Sequence, residues 1–212
     1  PAFSTVPTML EPRRRLVEYS ASENSRLGGP IFAGSACETV RLTERDDLRT
    51  KGGLGKALRA VAKTTIAVML WCSIPCTGGS QWQRLNVAKY PHLEESVKGQ
   101  RQDFEILWDN FDKVADENAK NGGGKLAIEW PSNCLYWSFA PVQALIKRHG
   151  LEMVKFHGCA YGFTDDEGVP IQKAWTVATD DEALYNELAA HQCPGCVRHR
   201  WCEGKFSKRS ED

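Results

Sequence analysis

Short apolar runs alternate with stretches of helical spacing along most of the chain. Leu16, Val17 and Tyr19 predict a first strand over 15–19, followed by a polar turn over 20–29. Val40 and Leu42 anchor a second strand over 38–42, which ends at the acidic patch 44–47. A short helix over 55–62, with Leu58 and Val61 three apart, leads into the most hydrophobic run, Ile66-Ala67-Val68-Met69-Leu70-Trp71, which reads as a buried strand. The clearest helix covers 100–121: Phe104, Leu107, Trp108, Phe111, Val114 and Ala115 recur three and four apart, and Asn121-Gly122-Gly123-Gly124 stops it. A strand over 125–129 closes at Trp130-Pro131, and Pro141 opens a helix that Gly150 ends. Strands over 151–156 and 174–179 and a last helix over 181–190, with Leu184, Tyr185 and Leu188 on one face, complete the pattern.

This alternation predicts an α/β fold, a Rossmann-like, mostly parallel sheet with helices on both faces. The last two strands are joined by a connector rich in glycine and aspartate, not by a helix, so they are expected to form a C-terminal antiparallel hairpin. Residues 1–190 form the expected domain, and 191–212 a small basic tail rich in cysteine and histidine. Ligands of open α/β sheets bind outside the carboxyl ends of the strands. Glu18, Ser20, Glu44, Asp47, Cys76 and Glu129 fall at those ends.

Composition narrows the function. Lys and Arg total 27, as do Asp and Glu, so there is no overall positive field and any nucleic-acid site must be local. No apolar run nears the roughly 20 residues of a membrane span. Eight cysteines, unevenly spread, suit reduced thiols in an intracellular compartment, nuclear or organellar, better than a disulfide framework. Arg13, Arg14 and Arg15 have no neighbouring apolar segment that would make them a targeting peptide.

Cys76 stands out because it follows Pro75 where the hydrophobic strand runs into Thr77-Gly78-Gly79-Ser80, the position of a nucleophile at a strand end. Ile74-Pro75-Cys76, Ile128-Glu129-Trp130, Tyr161-Gly162 with Gly168-Val169-Pro170-Ile171-Gln172, and Trp175-Thr176-Val177-Ala178 follow in the order and spacing of a known set. With them the chain resembles the cytosine-C5 methyltransferases, which are built on an S-adenosylmethionine-dependent Rossmann-like sheet, over about residues 16–179. The resemblance implies that Cys76 adds to cytosine C6 and that Glu129 protonates the ring at N3. It places Glu18, Ser20, Glu44, Asp47 and Pro75 around S-adenosylmethionine, and Gln172 and Lys173 near a flipped nucleic-acid base. Trp82, just beyond the cysteine loop, is the aromatic expected to face a flat ligand. The chain departs from the family in its first loop, Ser20-Ala21-Ser22-Glu23-Asn24-Ser25, which is not glycine-rich. It departs also at Trp130, in place of asparagine, and at Ala174 and Thr176, in place of two arginines. Residues 31–34 mimic the missing glycine loop but lie too close to the second strand. No target recognition domain is expected after the hairpin.

Cys193, Cys196, His199 and Cys202, with His191 nearby, offer soft ligands for a zinc knuckle, around which Arg198, Arg200, Lys205, Lys208 and Arg209 would form the local basic surface. His157 is a weaker candidate partner for Cys76 in a cysteine-hydrolase arrangement. Beside the enzyme stands a second expectation, that of a non-catalytic structural or assembly subunit of a larger complex that keeps the fold.

Overall fold

A computed structural model of the chain describes residues 13–29, 36–62, 65–195 and 198–202. Its centre is a six-stranded sheet built from β1 (Arg14–Tyr19), β2 (Cys37–Leu42), β3 (Ala67–Cys72), β4 (Lys125–Pro131), β5 (Glu152–His157) and β7 (Ala174–Thr179). The strands lie in the order β2-β1-β3-β4-β7-β5. β1 pairs in parallel with β2 and β3, and β3 with β4, whereas β7 inserts antiparallel to both β4 and β5. The expected fold class holds, including the antiparallel closure. From β1 the chain moves outward to β2 and then returns to the other side for β3, which creates a switch point between β1 and β3.

The side chains of the strands alternate between two unlike faces. Val17, Tyr19, Leu70, Cys72, Ile128 and Trp130 point to a face packed by α1 (Lys51–Val61), α3 (Glu94–Ala119) and α4 (Ala140–His149). Here Phe104 of α3 stacks on Tyr136 with ring centroids 3.6 Å apart, and Trp108, Phe111 and Trp137 extend the aromatic cluster around Trp130. Burying one such ring contributes about 2–3 kcal/mol, which makes this cluster the main anchor of the fold. On the opposite face α5 (Glu182–Ala190) covers Ala127, Val154 and Val177 through Leu184, Tyr185 and Leu188. Over β1, β2 and β3 that face is bordered by the 20–29 loop and keeps a hollow of about 940 Å³.

Helix α1 begins earlier than its glycines suggest. Thr50 caps it by accepting from the Gly53 N–H at 3.1 Å, and a β-carbon at Gly53 would collide with the Asp46 and Asp47 carbonyls, so the helix start needs glycine for space. Helix α2 (Gln81–Lys89) buries none of its residues, and Trp82 on it is exposed. The tail returns to the body: β8 (Arg200–Trp201) pairs in parallel with β6 (Ile171–Gln172), and Arg200 bonds to Asp165 and Glu167.

Candidate active site

Four strand ends open onto one cleft of about 970 Å³ at the carboxyl edge of the sheet. Ser20 and Ser22 reach it from β1, Thr43, Glu44 and Asp47 from β2, Pro75 and Cys76 from β3, and Glu129 from β4, with Lys173 and Trp175 closing the far side. Of the residues predicted from sequence, Ser20, Glu44, Asp47, Pro75, Cys76, Glu129 and Lys173 line this single space.

Cys76 is held by its loop. It precedes a single 3-10 turn, Thr77–Gly79, with φ −80 and ψ 8, in the bridge region that functional residues often occupy. The Trp130 indole donates to the Ile74 carbonyl at 2.7 Å, Arg101 Nε donates to the Gly78 carbonyl at 3.0 Å, and the Gly79 N–H closes onto the Cys76 carbonyl at 3.0 Å. Glycine is required at 78 and 79 for room. A β-carbon at Gly78 would stand 2.6 Å from the Tyr136 hydroxyl, and one at Gly79 would stand 2.9 Å from Cys134 Sγ and from the Tyr136 ring. Trp130, where the resemblance expects asparagine, thus ties the cysteine loop to the next strand.

Glu129 is the most perturbed acid of the cleft. Burial raises its carboxyl from the ordinary 4.5 to about 7, and the nearby Lys173 ammonium only partly offsets this. Its Oε1 is shielded from solvent and has no hydrogen-bond partner within the protein. The Lys173 Nζ lies 4.8 Å from the centroid of the Trp175 ring. Burial likewise pushes the Cys134 thiol up to about 12, and the charges of both Cys76 and Glu129 add to that shift, so the three groups are electrostatic neighbours.

The first loop differs from expectation in an informative way. Ser20 has φ 61, the left-handed conformation that favours glycine. Glu18 does not line the cleft: it is buried on the same sheet face as Glu129, where Arg41 Nε donates to it at 2.8 Å and the Ser25 hydroxyl bonds its other oxygen. Arg41 also donates to the carbonyls of Ser25 and Leu27, so this pair fastens the loop to β2.

Other predicted residues lie elsewhere. Gln172 is exposed on β6 and Trp82 on α2, and neither lines the cleft. His157 ends β5, at the sheet's far edge, and its Nδ1 accepts from the Cys193 N–H at 3.3 Å, so it is oriented toward the tail and away from Cys76. Cys193 and His199 come together with Cys159 from the turn after β5, the ligating atoms of all three within 4.8 Å of one another, whereas Cys202, expected among the ligands, is not part of this group. In the sequence Cys159 stands out only as the neighbour of His157; its 34-residue separation from Cys193 hides the link. Cys196, Lys205, Lys208, Arg209 and the 31–34 run lie outside the described residues. Among the described residues no helix is long and apolar enough to cross a membrane.

The arrangement offers a thiol on a fixed loop, a carboxyl that changes charge near neutrality, and a lysine beside it, all facing a cleft with carboxylates at its other end. No protein-family model matches the chain, and no curated protein or solved structure matches it significantly.

Proposed function

We propose that the cleft is the active site of a methyltransferase of the cytosine-C5 type, acting on a base of a nucleic acid. The observation that carries this reading is the convergence of Cys76 and a Glu129 carboxyl poised near pH 7 in one cleft. Cys76 as thiolate forms a bond to C6 of the ring, and the displaced electron pair moves toward N3, where the Glu129 carboxyl gives up its proton. Carbon C5 thereby becomes the nucleophile. Once C5 carries its new methyl group, loss of the C5 proton to water reforms the C5–C6 double bond and expels the Cys76 thiolate, while N3 returns its proton to Glu129.

The chain's residues suit S-adenosylmethionine at the other end of the cleft: the Glu44 and Asp47 carboxylates accept hydroxyl or amino protons, and the left-handed Ser20 opens the backbone at the end of β1. That group, when bound, supplies the electrophilic methyl. Lys173, beside Glu129, would counter the carboxylate left after proton transfer.

A second reading is favoured by Glu18: its capture by Arg41 and Ser25 removes an acid from the cofactor end, as expected of a fold kept for a structural or assembly role in a larger complex. Calorimetry with S-adenosylmethionine separates the two, and no measurable binding would overturn the enzyme. A 5-fluorocytosine oligonucleotide should then form a covalent adduct with the wild-type chain. Cys76→Ala should abolish the adduct, and Glu129→Gln should slow its formation about 100-fold or more, as loss of a general acid does.

A further inference from the structure

We propose that Cys159, Cys193 and His199 bind a structural zinc ion that pins the tail to the connector between β5 and β7. The three residues come from separate segments: the 3-10 turn Gly158–Tyr161, the stretch after α5, and the residue before β8. Their ligating atoms all lie within 4.8 Å of one another, and each residue is half-buried. Cys193 Sγ and His199 Nε2 stand 3.5 Å apart. With Zn–S about 2.3 Å and Zn–N about 2.0–2.1 Å, two ligands at the tetrahedral angle lie about 3.5 Å apart. That separation is the edge a zinc tetrahedron requires.

Two thiolates and an imidazole are ligands of borderline softness, which selects zinc over the oxygen-seeking divalent cations. Cys202, which follows β8 directly but lies outside this three-residue group, is the described cysteine that would complete the set when the metal binds. The surroundings hold the ligands in place. His157 Nδ1 accepts from the Cys193 N–H, the His157 N–H donates to the His191 carbonyl at 3.1 Å, and the Arg200 N–H donates to the Pro170 carbonyl at 2.8 Å. With Cys202 as a fourth ligand the site would be closed, and at the outer edge of the sheet, apart from the cleft, it is structural in kind. It reaches the cleft indirectly, because the Gly158 N–H donates to the Lys173 carbonyl at 2.9 Å, so the turn carrying Cys159 also positions the lysine beside Glu129. The proposal stands whether or not the cleft is catalytic.

Metal analysis of the full chain, purified without a metal-binding tag, should give one zinc per chain. Cys159→Ser and Cys193→Ser should each lose most of it, whereas Cys37→Ser, at the exposed start of β2, should keep it. Cobalt substitution gives a second readout that does not require the serine variants to fold. The thiolate-to-cobalt charge-transfer band should strengthen in His199→Cys, which exchanges a nitrogen ligand for a sulfur. Less than half an equivalent of zinc after reconstitution, full zinc in Cys159→Ser, or an unchanged cobalt band in His199→Cys would each overturn the site.

Discussion

The loops after β1 and β3 flank the same switch point, yet they are held by opposite means. The β3 loop carrying Cys76 is fixed by close packing: Gly78 and Gly79 press against Tyr136 and Cys134, and two side chains bond its carbonyls. The β1 loop is fixed by charge: Glu18 and Arg41 hold it through carboxylate and carbonyl bonds, and Ser20 bears a left-handed backbone without being glycine. Where the chain needs space it uses glycine; where it needs only an unusual φ it accepts serine and the accompanying strain. The Cys76 side of the cleft is therefore set by shape, and the β1 side by an ion pair whose acid reads in the sequence as a binding residue.

The sharpest way to break this contrast is Arg41→Met. It leaves Glu18 buried without its cation and should cost about 3–5 kcal/mol in chemical denaturation; a cost below about 1 kcal/mol would show that the ion pair does not hold the β1 loop. Next in size is the pH dependence from Glu129. Its folded-state pKa lies above the unfolded value, so its stability contribution is fully present below about pH 4.5 and is lost as pH rises toward about 7. Glu129→Gln should remove that loss, leaving the variant up to about 3 kcal/mol more stable than wild type at pH 8 and little different at pH 4. A parallel pair of unfolding curves across that range would deny the perturbed carboxyl. Gly79→Ala forces a β-carbon onto Cys134 and Tyr136 and should cost about 1–3 kcal/mol while slowing adduct formation at Cys76. Smallest is Ser20→Gly, which relieves a left-handed serine and should raise stability by about 0.5–1 kcal/mol. A loss of stability there would mean that the serine side chain, and not the backbone, secures the turn.

Much of the sheet is legible in the sequence because its strands are buried on both faces or alternate cleanly. The strand predicted over 174–179 coincides with β7, and those over 38–42 and 66–71 fall within one residue of β2 and β3 at each end. Helix α3 extends to Glu94 because Val97 adds another turn to the buried stripe. What escapes has physical causes. Helix α2 buries nothing, so it has no apolar period to read, and the start of α1 is hidden because glycines that serve close packing look like helix breakers. Of the candidate site, Cys76 and Glu129 can be found from strand ends, since position along a strand sets which edge a residue reaches. The capture of Glu18 cannot, because alternation fixes its face but only Arg41, 23 residues on in the paired strand, takes it up as an ion-pair partner. Cys159 joins Cys193 and His199 through tertiary structure alone.

The insertion of β7 between β4 and β5 also governs how the polypeptide can assemble while it is being made. During synthesis β4 emerges without a neighbour on its outer side, and β5, though complete, has no strand to pair with until residues 174–179 leave the ribosome. The edge of β4, which carries Glu129, is thus the last part of the sheet to be covered and the part most exposed to pairing with a stranger.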